Sequence, residues 1–221
     1  MRKKIFTGLL GFFSIFAAHH GIAETSYTEH INNIVKNTHL DPKVVELAMK
    51  AYKYAQETTH VKKDILTIVD YSKPSSEKRL YVIDLKTDQL LLNTRVAHGK
   101  NTGLLTSDSF SNRANSNQTS LGVFVTTDIY QGKHGTSLRI AGLEKGINDN
   151  VASRAVVIHS ASYMSDDFLK SHGYSGRSSG CLAVRELDIS KLIQFTSGGS
   201  VIFSYAAPEN HDPNLENIHL T

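Results

Sequence analysis

The chain contains one cysteine, Cys181, set in the Gly- and Ser-rich stretch GRSSGCLAV between Gly176 and Val184. A thiol becomes a catalytic nucleophile when a base lies within hydrogen-bond reach, a third group orients that base, and backbone donors meet the oxyanion that forms. His159 is the best-placed base. It ends the apolar run RAVVIHS, 22 residues before Cys181, where a strand end fixes an imidazole and the intervening segment can fold back over it. Gly180 lets backbone approach a substrate carbonyl closely, so the amides of Gly180 and Cys181 are the candidate oxyanion hole. Ser178 and Ser179 can hydrogen-bond within the turn and stiffen it. Three histidines compete with His159. His98 and His134 each stand beside a glycine and are placed to line a site, whereas His172 closes a short surface helix. The competing role for Cys181 is that of a small core residue, since unpaired cysteines are among the most buried side chains. A papain-like order is excluded, because only His211 and His219 follow the cysteine, both in a polar tail.

The N-terminus bears on that choice. Residues 1–23 carry Arg2, Lys3 and Lys4, then an apolar run from Ile5 to Ala18, then small residues at Gly21 and Ala23. This is the pattern of a secretory signal peptide cleaved before Glu24, and its apolar run is too short for a membrane anchor. An exported chain with one cysteine makes no internal disulfide, so the thiol is either buried and inert or kept for reactivity. The three basic residues of the leader account for the whole formal charge of +3. The mature chain is neutral, which argues against a nucleic-acid or anionic-membrane partner.

The elements that must hold these residues change character along the chain. In DPKVVELAMKAYKYAQ, Asp41 is the expected N-cap and Pro42 the first helical residue, with Val45, Ala48, Tyr52 and Ala55 on one face. The preceding SYTEHINNIVKN predicts a shorter helix beside it. From Asp64 the pattern turns extended: ILTIVDY, RLYVIDL and LLLNTRVAHG read as strands, the last two joined by KTDQ, and this hairpin suggests an antiparallel sheet. Residues 100–120 form a long Ser/Asn/Thr-rich connection, either a lid over substrate or a surface loop. SLGVFVTTDIY and RAVVIHS are further strands. SDDFLKSHG is a short helix capped by Ser165 and stopped at Gly173, LDISKLIQFTSGG a last helix, and GGSVIFSY a closing strand. No internal repeat, CxxC metal spacing or phosphate-loop motif is present.

VVIHS followed by SGRSSGCLAV resembles the signature of the L,D-transpeptidase catalytic domain (YkuD-type), in which a histidine precedes a Ser-x-Gly-Cys turn by roughly twenty residues. The likeness extends through VAHGKNTG, SLGVFVT and SLRIAGLEKGINDN, over most of residues 64–205. It is closest to the murein L,D-transpeptidase branch with a Ser-x-Gly-Cys-x-Ala motif. The resemblance implies a mainly β fold, a sandwich or barrel of mixed sheets with marginal helices. The chain then divides into a leader (1–23), an N-terminal helical segment (24–63), the catalytic domain (64–205) and a polar tail (206–221). It implies Cys181 as acyl-accepting nucleophile, His159 as base, the Ser160 carbonyl as orienter of His159, and Gly180 in the oxyanion hole. Ser178, Ser179, Arg177 and Tyr163 are then expected to contact substrate.

The implied substrate is a peptidoglycan tetrapeptide stem, attacked at its third residue with release of D-Ala through a thioester. The acceptor is an amine of a neighbouring stem or of a wall-anchored protein. Water in its place gives an L,D-carboxypeptidase, and a domain without turnover gives a peptidoglycan-binding protein. Cysteine–histidine chemistry calls for no metal or organic cofactor, and the implied location is the periplasm or cell envelope. The commoner family pattern has His or Arg where this chain has Ser179, and Arg where it has Ala183. This leaves the carboxylate-binding cation unassigned among Arg139, Arg154 and Arg177.

Overall fold

The computed structural model describes residues 26–207 and 212–220; the leader read in residues 1–23 lies outside them. Two helices come first, α1 (Tyr27–Thr38) and α2 (Pro42–Thr58). The Asp41 carboxylate accepts the Lys43 N–H at 2.8 Å with Pro42 opening α2, as the sequence predicts. Val45, Ala48, Tyr52 and Ala55 are all buried on the inner face of α2. α1 is clamped onto the sheet by one turn residue, Asp88, which has a left-handed backbone (φ 56°). Its carboxylate takes hydrogen bonds from His30 at 2.7 Å and Asn33 at 3.0 Å, and its carbonyl accepts from Asn37 at 2.7 Å.

The strands are β1 (Ile65–Asp70), β2 (Leu80–Asp84), β3 (Gln89–Thr94), β4 (Gly122–Gly132), β5 (Gly135–Gly142), β6 (Val157–Ser160), β7 (Leu182–Val184) and β8 (Val201–Tyr205). They form one mixed sheet in the order β3-β2-β1-β8-β4-β5-β6-β7. β2–β3 is the antiparallel hairpin expected from KTDQ, whereas β1–β8 and β6–β7 are parallel. β5, which carries no strand assignment in the sequence reading, pairs with β4 in a long hairpin.

The sheet curls until its two ends meet. β3 is first in the order and β7 last, yet the chain leaving β3 bonds back to β7 and the turn before it. Ala97 N–H donates to Ala183 O at 2.8 Å, Ser178 N–H to His98 O at 2.9 Å, and Lys100 N–H to Ser178 O at 2.8 Å. Curling also explains why Leu80 and Val82 of β2 share an interior with Leu182 and Val184 of β7. The opposite face of β1, β2 and β8 packs under α1 and α2, through Leu66, Ile68, Tyr81, Ile83, Val201 and Phe203. With both faces covered the central strands are buried on both sides and mostly apolar, which hides the period-two alternation of a one-sided sheet.

Between β6 and β7 lie a 3-10 turn (Ser162–Met164) and α3 (Asp166–His172), with Ser165 as N-cap and Gly173 in the left-handed C-cap position. α4 (Glu186–Thr196) follows β7 and inserts Leu192 and Ile193 into the curled interior. α5 (Pro213–Glu216), in the C-terminal tail, packs Leu215 into the core under α1 and α2. The fold is mainly β with helices at its margins.

Candidate active site

The turn GRSSGCLAV is built by Ser178. Its hydroxyl donates to Cys181 O at 2.7 Å and accepts the Gly180 N–H at 3.0 Å, closing a tight loop around Ser179. Gly180 has φ +116°, and a Cβ there would lie 2.8 Å from Gln118 O and 3.1 Å from Arg154 Nη2. Only glycine fits that conformation and that space. The Ser178 hydroxyl and the Gly180 amide, expected to face substrate, are thus both engaged inside the turn. The Cys181 N–H makes no hydrogen bond among the described residues. Ser179 is exposed.

β6 and β7 run parallel with His159 opposite Ala183. Cys181 immediately precedes β7, two residues before Ala183, so the thiol enters the sheet edge beside the strand that carries His159. Ala183 is fully buried and packs with Ala97, Ala161 and Met164. His159 Nδ1–H donates to the Ser160 carbonyl at 2.8 Å, which leaves the lone pair on Nε2. Burial holds His159 below the ordinary imidazole range; the Ser160 carbonyl opposes this, and His134 and Lys133 add to it.

The thiol is wrapped by the segment leading into β6. Cys181 Sγ–H points to Ala155 O at 3.7 Å, and Ala155 adopts a left-handed backbone (φ 52°). Burial pushes the thiol pKa above its ordinary value, although the Val157 backbone amide and the charges of Lys133 and Arg154 pull it down. Burial thus shifts the two groups in opposite directions, the thiol up and the imidazole down, each toward its neutral form.

Tyr163 is half-buried, its pKa pushed up to about 12 by burial and the neighbouring Cys181. Its ring lies against Gly176, where a Cβ would sit 2.5 Å from Tyr163 Cβ, and its carbonyl accepts the Gly176 N–H at 2.8 Å. Arg177 Nη1 donates to Lys100 O and Gly103 O, each at 3.1 Å. Arg154 pins the long loop, donating to Ser111 O (2.8 Å), Ser120 Oγ (2.6 Å), Ser116 Oγ (3.2 Å) and Gln118 O (2.6 Å). Arg139 stacks over Tyr130, 4.0 Å from its centroid.

The rival histidines separate cleanly. His98 is fully buried, its Nδ1 accepting from Arg79 at 2.9 Å and its Nε2–H donating to Gly103 O at 3.1 Å, with its pKa pushed down to about 4 by burial and the Arg79 charge. His172 stacks on Phe168 on the exposed side of α3. His134, at the tip of the β4–β5 hairpin, does reach the site, and its ring stacks on His159 with centroids 4.4 Å apart. The sequence reading missed Lys133, Ala155 and Val157 as neighbours of the thiol. No local pattern marks Ala155, a non-glycine residue in a left-handed turn, while the glycines around Lys133 and His134 are a turn signal.

A family model described as the L,D-transpeptidase catalytic domain matches residues 36–205. Among curated proteins none matches the chain. Solved structures it resembles include an L,D-transpeptidase from Mycobacterium smegmatis (15% identity, 65% of this chain and 59% of that one, TM-score 0.41). Another is L,D-transpeptidase 3 from Mycobacterium tuberculosis in complex with a faropenem-derived adduct (10%, 64% and 60%, TM-score 0.42). A third is the helical cell shape determining protein Pgp2 of Campylobacter jejuni, as a K307A mutant (10%, 77% and 59%, TM-score 0.44). The chain spans about three-fifths of the length of each of these structures. At these scores the family assignment stands on residues 36–205, not on the structural neighbours.

Proposed function

This chain belongs to the L,D-transpeptidase catalytic-domain family, and on that premise we propose that it is an exported cysteine acyltransferase acting on peptidoglycan tetrapeptide stems. One observation carries the reading. His159 has Nδ1 tied to the Ser160 carbonyl, which leaves Nε2 as the acceptor, on the strand paired with the one that Cys181 leads into. That is the base–orienter geometry an activated thiol requires. A structural cysteine needs neither an oriented imidazole nor a glycine-only turn.

In the proposed cycle His159 Nε2 removes the Cys181 proton as sulfur attacks the carbonyl carbon of the stem's third residue. Because burial favours the neutral form of both groups, proton transfer accompanies attack. The Cys181 N–H meets the developing oxyanion, and the Gly180 N–H joins it where the turn relaxes its bond to Ser178. The imidazolium then protonates the departing nitrogen, the carbon–nitrogen bond breaks, and D-Ala leaves a thioester on Cys181. An amine from a neighbouring stem or a wall-anchored protein, deprotonated by His159, attacks the thioester and regenerates the thiol. Tyr163, Ser179 and Arg177 line the approach. Export by residues 1–23 brings the enzyme to the envelope where such stems lie.

Incubation with isolated peptidoglycan fragments tests this reading. D-Ala release together with new cross-links supports transpeptidation, and release with only shortened stems identifies water as the acceptor. No release by a folded protein overturns acyl transfer. Cys181→Ala should abolish release, and His159→Ala should lower kcat by about two to four orders of magnitude.

A further inference from the structure

β8 pairs with β4 only over Gly122–Val125, and β6 pairs with β5 only at Leu138 and Arg139. The β4–β5 hairpin continues past both neighbours to Gly132 and Gly135, so its last residues project beyond the sheet. Lys133 and His134 form its two-residue tip, with Gly135 at φ +77°. The exposed His134 ring lies on the buried His159 ring at 4.4 Å and 19°. That stack fixes the tip over the site.

Lys133 is exposed and makes no hydrogen bond or ion pair among the described residues. Its charge nonetheless acts on both Cys181 and His159, and the Arg154 charge acts on Cys181 as well. The three arginines that could receive a substrate carboxylate are committed elsewhere: Arg154 to the loop, Arg177 to Lys100 and Gly103, and Arg139 to Tyr130. An electropositive mouth with one unpartnered cation calls for an anion.

We propose that Lys133, placed beside the site by the stack of its neighbour His134 on His159, is the cation that receives a carboxylate of the acyl donor. It is a specificity-determining residue for an anionic peptide. The inference rests on the acyl-transfer reading for the identity of that peptide. Two carboxylates of a stem share this chemistry: the terminal one of the leaving D-Ala, and one borne by the side chain of the third residue.

The test separates the cation from the reaction. Cys181 is alkylated with iodoacetate and with iodoacetamide, which differ in charge and not in the atom attacked. Any change in thiol pKa affects both rates equally, so their ratio reads local attraction for a carboxylate. Lys133→Met should lower the iodoacetate-to-iodoacetamide ratio at least about fivefold at low ionic strength, less in high salt, and Lys133→Arg should keep it. An unchanged ratio in Lys133→Met, or an equal loss in Lys133→Arg, overturns the proposal. With peptides, Lys133→Met should raise KM for the free tetrapeptide acid. Loss of that effect on C-terminal amidation assigns the D-Ala carboxylate; loss on neutralising the third side chain assigns the other. A KM rise that persists with both groups neutral overturns the proposal. If the ratio shifts as expected while the wild-type protein releases no D-Ala, the acyl-transfer reading fails and the cation assignment stands.

Discussion

At Cys181, burial disfavours the thiolate, and the sign of that shift is measurable. With the folded pKa above the ordinary value of about 8.5, the thiolate is scarce at neutral pH. Alkylation by iodoacetamide should be slow there and rise only at alkaline pH, with a midpoint above that of a free thiol. A preformed ion pair would instead keep alkylation fast down to pH 5. His159 is shifted the other way, so it stays neutral at pH values where an ordinary imidazole, near 6.5, is already protonated. Turnover, which needs the neutral base, should persist below that value. The two residues stood out as candidates in the sequence because chemistry constrains type and spacing. Lys133 was not, because its nearness to the thiol comes from a hairpin folding back across some fifty residues. Ala155 was hidden for a related reason: a carbonyl acceptor leaves no trace in side-chain identity.

The cysteine turn and the loop from Lys100 to Ser120 are one unit, joined through Arg154. Its guanidinium takes acceptors from four loop residues and sits against Gly180. Arg154→Ala should therefore cost about 2 kcal/mol of stability, measured by denaturant unfolding, and should also slow acylation, because the turn loses the loop packed against it. Gly180→Ala acts on the same unit from the other side. Its Cβ would meet the Gln118 carbonyl in a backbone conformation that alanine resists, so kcat should fall sharply while the remote helices stay folded. Helices α1 to α4 were readable from their caps and spacing, since Asp41, Ser165 and Gly173 work locally. The parallel pairings β1–β8 and β6–β7 were not, because register between distant strands follows from packing rather than from any window of sequence.

For the molecule as a whole, stability depends on closing the sheet and covering its outer face. The tail contributes to that cover through a buried carboxyl. Glu144 is fully buried, its Oε2 accepting from Val123 N–H at 2.6 Å and Asn148 Nδ2 at 2.8 Å. Its other oxygen accepts from Asn214 at 3.2 Å, and the carboxyl also hydrogen-bonds with the Asp212 side chain. Burial and the hydrogen bond with Asp212 hold its pKa well above the carboxyl range, so Glu144 is protonated in the folded state where the unfolded chain would ionise it. The folded state then binds the extra proton, and stability falls as pH rises from the carboxyl range toward neutrality. Glu144→Gln, which keeps a donor for Asp212, should flatten that dependence between pH 5 and 8 in thermal unfolding. The polar tail read from the sequence gave no hint of this contact, because Leu215 is one apolar residue in a hydrophilic stretch.

The central claim is that Cys181 forms an acyl-enzyme, and intact mass measures it directly. The protein and a Cys181→Ala control are incubated with peptidoglycan tetrapeptide and weighed by mass spectrometry. The account predicts an adduct of the acyl tripeptide on the wild-type chain alone, with D-Ala released in equal amount. An adduct on both proteins, or D-Ala release that survives loss of the thiol, would contradict it.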